Sequence, residues 1–243
     1  MERSKDFYMR LYGDYALFTA PESKGGGERI SYSVPTQQAL HGIVDACYFK
    51  PTIRNCVEEV KVMHPIRSHT FGVRALYNNG KPGLNYVTAL ENVEYLVKYH
   101  FEWNPARPDL AGDRNMKKHE AIVERSLRRG GRRDVFLGAR EFVGNIEALD
   151  EASYNEAQSF YDGQTIHFGI MFQCFEYPEE SGGALQSYFA PIVMENGIIH
   201  WKPKEECPIH NTLSGYTFRT ADAVKSAEEE WNAMTAIFKE GRL

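Results

Sequence analysis

From Asp113 to Arg140 the sequence reads DRNMKKHEAIVERSLRRGGRRDVFLGAR, the stretch best equipped for chemistry on an anion. It holds nine Lys/Arg against four Asp/Glu, a local charge of +5 in a chain whose formal charge is -5, so the remainder sums to -10. A positive patch on an acidic protein does not follow from general basicity, and it suggests a directed anionic partner such as nucleic acid. Charge alone fits a solvated, arginine-rich helix face equally well. Spacing adds detail. Asn115 is placed to cap a helix that runs to about Arg129, where Gly130-Gly131 end it. Met116, Val123 and Leu127 make its apolar stripe, with Ile122 at the edge, and Lys118, Arg125 and Arg129 share a neighbouring stripe. Lys117 and Lys118 in the first turn oppose the macrodipole. That cost makes sense where the helix start and both ammonium groups hold an anion together. His119 is expected near the apolar border, so the arrangement reads as a phosphate site with an imidazole at its rim. An imidazole moves protons near neutral pH, and a lysine can hold developing oxyanion charge.

The elements that must position this stretch follow from periodicity. Phe7 to Thr19 begins as a half-buried strand, with Phe7, Met9 and Leu11 on one face and Tyr8, Arg10 and Tyr12 on the other. The loop ESKGGGERI lacks the Lys-Ser/Thr ending of a phosphate-binding loop, so Gly25 to Gly27 read as flexible. In VPTQQALHGIVDACYFKP, Pro35 suits a first helical position, and Leu40, Ile43, Val44 and Cys47 form the buried stripe. Pro51 stops this helix and leaves Tyr48 in its last turn, where a tyrosine would ordinarily just cover the core. Ile53 to Met63 alternates again, and two strands flank the Asn79-Gly80 turn. Glu91 to Trp103 is a third β-like run, and another strand lies around Val135 to Ile146.

This order predicts an α+β chain: a ferredoxin-like (RRM-like) N-terminal domain, residues 1–150, with an inserted β-hairpin. The aromatic RNP signature is missing, so base stacking on the sheet is not expected. A break near Leu149 to Ser159 introduces a small antiparallel β-sheet C-terminal domain, residues 151–243. Its strands are Thr165 to Tyr177, Ser187 to Met194 and Gly197 to Lys202. Its terminal amphipathic helix would turn Val224, Trp231, Met234 and Phe238 inward.

Hydrophobic content of 42% with 25% charged residues is ordinary for a soluble globular protein of 243 residues. No secretory signal pattern or membrane-spanning run is visible. Cys47, Cys56, Cys174 and Cys207 have no paired ligand spacing, which suggests reduced thiols in a cytoplasm and no zinc. His64, His69, His167 and His200 have no companion set and read as structural.

On the segments PTQQALHGIVDACYFKP, NMKKHE and FLGAREF, the chain resembles the CRISPR-associated Cas family five, in its Dvulg or type I-C subtype, within the RAMP superfamily. The resemblance covers nearly the full length. Most branches of that family cap the 5′ end of a crRNA and do no chemistry. In type I-C the member cuts the repeat RNA itself, with a tyrosine at the end of the first helix and an adjacent lysine and histidine in the second. Carried onto this chain, these are Tyr48, Lys118 and His119. Lys117 precedes the pair, and the helical projection favours Lys118.

The resemblance implies a metal-independent endoribonuclease that leaves a 2′,3′-cyclic phosphate and a 5′-hydroxyl and stays on the 5′ handle. The alternative is a structural capping subunit. Its partners would be CRISPR repeat RNA or crRNA and the backbone and large subunits of a type I-C complex, with no cofactor, metal or membrane. Arg114, Lys117, Arg125, Arg128, Arg129, Arg132 and Arg133 are expected to hold backbone phosphates.

Overall fold

A computed structural model describes residues 2–26, 28–76, 80, 82–178, 183–215 and 226–239. Alternation makes strand β1, Phe7–Ala16, whose Phe7, Met9 and Leu11 are buried under the helices. A short strand β2, Arg29–Ile30, was not legible in the sequence. Helix α1, Gln37–Cys47, starts two residues later than the proline suggests. Thr36 is its N-cap, accepting from the Ala39 amide, and Pro35 sits just outside. Leu40, Ile43, Val44 and Cys47 are all buried. Each aliphatic one is worth about 1.5–3 kcal/mol over exposure.

Strand β3, Ile53–Val62, follows, then the hairpin of β4, Ser68–Leu76, and β5, Pro82–Trp103. Asn79 of the expected turn lies outside the described residues. The second hairpin strand and the run from Glu91 are one 22-residue strand rather than two. Asn92, at φ 49, interrupts the regular geometry between its two halves, and asparagine tolerates this region better than most side chains.

Helix α2, Met116–Arg128, is capped by Asn115, whose side chain accepts from the Lys118 amide. It ends at Gly130 and Gly131, both at positive φ. Beyond it lie β6, Val135–Phe136, β7, Val143–Leu149, and a six-residue helix α3, Glu151–Glu156. The later strands are β8, Thr165–Glu176, β9, Ala184–Glu195, β10, Ile198–His200, and β11, Ile209–Gly215. The first three were expected; β11 was not. The last helix, α4, spans Ala227–Lys239.

The strands join one large sheet in the order β11-β9-β10-β3-β5-β1-β7-β6, with β2 and β4 on β5 and β8 on β9. Along this path the pairings are antiparallel, and β10 carries the sheet across residue 150 by pairing with β3. One hydrophobic cluster contains Met9, Leu40, Val97 and Leu127 together with Met171, Met194 and Ile199, so strands from both sides of residue 150 share a core. The helix α4 is a correction. Trp231 and Met234 are 64% and 50% exposed rather than packed inward. The core is already closed by α1, α2 and β8. Val224 and the Phe238 side chain lie outside the described residues.

Candidate active site at the start of the second helix

The end of α1 and the start of α2 meet on one face of the sheet. Tyr48 is the C-cap of α1, in extended conformation at φ -157, rather than a residue of its last turn. That conformation turns the chain toward β3 and carries the ring under α2. Ser126 of α2 reinforces the contact by donating to the Cys47 carbonyl. Tyr48 Oη lies 2.8 Å from His119 Nδ1, both side chains buried.

The tautomer follows from the other ring nitrogen. His119 Nε2 faces the Asp113 carbonyl oxygen at 3.0 Å, and a carbonyl only accepts, so Nε2 carries the proton. In the neutral ring, Nδ1 then accepts from the Tyr48 hydroxyl. The phenol oxygen keeps its lone pairs for another donor.

Instead of lying at a rim, His119 is fully buried, with Phe101 and Trp103 of β5 edge-on at 6.1 and 5.7 Å. The helical projection placed it correctly on α2, but it could not register the aromatic wall that a distant strand supplies. Burial is the main reason its pKa falls below the ordinary 6.5, with Lys118 and Lys50 pushing the same way against Asp113. Burial also raises the Tyr48 phenol, assisted by Asp113 and opposed by Arg132. Both shifts keep the pair neutral.

Lys118 is less free than the sequence suggests. Its ammonium is bound to the Asp113 carboxylate and lies 3.1 Å from the Asp113 carbonyl. Thr52 donates to the same carboxylate at 2.9 Å, and the two contacts hold Asp113 down to about 2. Asp113 thus organises the lysine and the imidazole together. Sequence reasoning gave it no role. The available signal was an acidic residue two positions before the helix cap, where its backbone can turn back on the first turn.

Of the residues expected to hold phosphates, Arg132 lies at the centre itself, its guanidinium carbon 5.6 Å from the Tyr48 ring centroid. Gly130 and Gly131 supply the positive-φ turn that brings it there. Lys117, Arg125, Arg128, Arg129 and Arg133 are exposed on or just after α2. Arg128 is partly engaged with Glu124, and Arg125 with the Ala121 carbonyl. Arg114 has a structural task. It is half-buried and donates to the Asn104 and Arg107 carbonyls, holding the preceding loop.

Among the described residues, Asp6, Glu58 and His100 bring ligand atoms within 4.8 Å of one another on the opposite sheet face. Arg3 and Lys98 already pair with both carboxylates, so a divalent ion would have to compete with two cations. The four cysteines are free thiols. No helix of the described residues is long and apolar enough to cross a membrane.

Residues 8–202 match the family described as CRISPR-associated protein (Cas_Cas5), in its Cas5d model. A relative from Mannheimia succiniciproducens, named CRISPR pre-crRNA endoribonuclease Cas5d, is 29% identical over 59% of this chain and 72% of its own length. One of the same name from Thermus thermophilus is 28% identical over 58% of this chain and 63% of its own. A crystal structure titled as a CRISPR-associated protein is 50% identical and superimposes with a TM-score of 0.77, covering 87% of this chain and 99% of that one. With four-fifths of its length matched and its fold shared, the chain belongs to the Cas5d branch of the CRISPR-associated Cas5 family.

Proposed function

We propose that this chain is a pre-crRNA endoribonuclease that cuts the CRISPR repeat hairpin without metal and then stays on the 5′ handle of its product. The single observation that carries the reading is the 2.8 Å contact between Tyr48 Oη and His119 Nδ1 beside a cationic helix start. RNA brings its own nucleophile, the 2′-hydroxyl. Tyr48 accepts its proton while passing the phenolic one to His119, so the buried imidazole acts through the tyrosine. The imidazolium formed is stabilised by the Asp113 carboxylate, 3.5 Å from Nε2. Lys118 and Arg132 stabilise the charge that develops on the phosphorane. The leaving 5′-oxygen takes its proton from solvent water, and the products are a 2′,3′-cyclic phosphate and a 5′-hydroxyl.

The strand order β3-β5-β1-β7, with α1 and α2 meeting on one face, supports reading residues 1–150 as a ferredoxin-like unit. Strands β8 to β11 extend its sheet, and β8 backs α1. Retention on the handle would make the backbone and large subunits of a type I-C complex its protein partners, in the cytoplasm, where free thiols stay reduced.

A second reading has an observation in its favour. Tyr48 and His119 are 2% and 0% exposed, as a purely structural pair would be. In that case the chain caps the crRNA and does no chemistry. Incubating a labelled repeat hairpin with the protein in EDTA separates the two. The nuclease cuts all-ribose RNA, spares RNA with one 2′-deoxy nucleotide at the cut site, and loses cutting but not binding in His119→Ala. Cutting of the deoxy substrate would overturn the mechanism, and absence of cutting by the wild type would leave the capping role.

A further inference from the structure

The two halves of the candidate site come from separate parts of the chain. Tyr48 opens the segment between α1 and β3, whereas Lys118 and His119 belong to α2. Besides the Tyr48–His119 contact itself, Thr52 joins them. It lies further along the Tyr48 segment, and its Oγ1 donates to Asp113 Oδ2 at 2.9 Å. That segment is held firmly. The Tyr48 carbonyl accepts from Asn55 Nδ2 at 2.9 Å, the Ile53 amide donates to the Lys50 carbonyl at 3.1 Å, and the Asn104 amide donates to the Thr52 carbonyl at 2.9 Å. Thr52 is 2% exposed. Its hydroxyl is shut off from a bound RNA, so whatever it does for the reaction passes through Asp113.

Asp113 spends both its carboxylate and its carbonyl on the other half of the site. Oδ1 takes the Lys118 ammonium, and Oδ2 lies 3.5 Å from His119 Nε2. The carbonyl accepts from Nε2 at 3.0 Å and from Lys118 Nζ at 3.1 Å. An ammonium has three donors. Two are used on Asp113, and the third is left for an anion. The direction of that third donor is therefore set by how the carboxylate is turned. Thr52 fixes the turn, because its β-branched side chain has few rotamers and is buried.

We propose that Thr52 and Asp113 are positioning residues for cleavage, Thr52 fixing the carboxylate and the carboxylate aiming the free donor of Lys118 and holding the His119 ring. The proposal rests on the nuclease reading above and adds these residues to it. A carboxylate beside a phosphate-binding lysine repels the RNA backbone, so it does not help binding. Its gain lies in geometry. The two residues should speed cutting without improving affinity. The titratable groups facing His119 are Tyr48 and Lys50 from the segment after α1, Asp113 before α2 and Lys118 within it, while β5 presents the rings of Phe101 and Trp103. Asp113 is the one negative charge in that set.

The test compares the full chain, in EDTA, with Thr52→Val, Thr52→Ser and Asp113→Asn. Valine keeps the branched shape and leaves no buried donor unpaired, and the Asp113 side chain, 34% exposed, is open to water in its place. The fold should hold. Affinity is read with a repeat hairpin carrying one 2′-deoxy nucleotide at the cut site, and cutting with the all-ribose hairpin in single turnover. Thr52→Val should cut about tenfold more slowly, the worth of one hydrogen bond to a charged group, with affinity unchanged. Thr52→Ser should recover most of the rate. Asp113→Asn should cut about 10²-fold more slowly, as a misplaced group does, while binding at least as tightly. The acid limb of its rate–pH profile should move to lower pH, since the imidazole has lost the carboxylate that favours its proton. Wild-type cutting by Thr52→Val, no recovery with serine, a weaker-binding Asp113→Asn or an acid limb that stays in place would each overturn the proposal. So would faster cutting by Asp113→Asn, which would make the carboxylate a competitor of RNA for the ammonium. All of these leave the nuclease reading intact, whereas absence of cutting by the wild type overturns both.

Discussion

The imidazole of His119 is withdrawn from solvent, and the chemistry proposed for it depends on one hydroxyl, that of Tyr48. Removing that hydroxyl in Tyr48→Phe leaves the ring to fill its site, so the fold should persist while the proton path is lost. A single-turnover cleavage assay should show a rate loss of about 10²–10⁴-fold, the usual worth of a general acid–base group, with RNA affinity little changed. A loss confined to affinity would make Tyr48 a binding residue. The same burial couples the site to folding. The folded pKa of His119 lies below its ordinary 6.5, so near and below that value the unfolded chain takes up a proton that the folded chain refuses. Its stabilising contribution is present above 6.5 and is lost as pH falls through that value toward the folded pKa. Thermal melts across this range should show a smaller loss toward acid in His119→Asn than in the wild type, and equal slopes would mean that the imidazole titrates normally.

At the scale of elements, the site depends on turns as much as on helices. Gly138, in the FLGAREF segment, sits at φ +89, and a Cβ there would fall 2.0 Å from the Leu17 carbonyl oxygen. This close approach ties the β6–β7 turn to the end of β1, where the Leu17 amide donates to the Leu137 carbonyl at 2.8 Å. Gly138→Ala should lose at least about 1–3 kcal/mol, the cost of a strained backbone before any clash is relieved. Chemical denaturation would measure it. A loss below half a kcal/mol, the usual limit for a neutral surface change, would mean the turn can move aside. The helix boundaries show the same reliance on local detail. Asn115 was legible as a cap because its side chain acts within its own turn, whereas Pro35 was assigned two positions too far inside because Thr36 takes the cap instead.

For the whole molecule, the sheet crosses the boundary that the sequence suggests at residue 150. Strand β10 pairs with β3, and β8 leans on α1, with the Phe175 amide donating to Gln38 Oε1 at 3.0 Å. A fragment ending at residue 150 would expose the edge of β3 that pairs with β10 and the side of α1 that β8 covers. It should show no cooperative unfolding transition in denaturant, and a sharp one would establish two independent domains.

What the sequence determined by itself was local. The caps, the apolar stripes of α1 and α2, the alternation of β1 and β3 and the excess of positive charge all follow from residues a few positions apart. The long strand β5 read as two because Asn92 breaks its pattern, while its continuity comes from pairing with β4, β1 and β3. Only the tertiary structure decided that Asp113 would gather Lys118 and His119, that Arg132 would come back over Tyr48, and that Phe101 and Trp103 would seal the imidazole from water. The Arg132 and aromatic contacts join residues far apart in the chain and depend on burial that no local pattern carries, while Asp113, only five and six positions from its partners, is held in place by the distant Thr52.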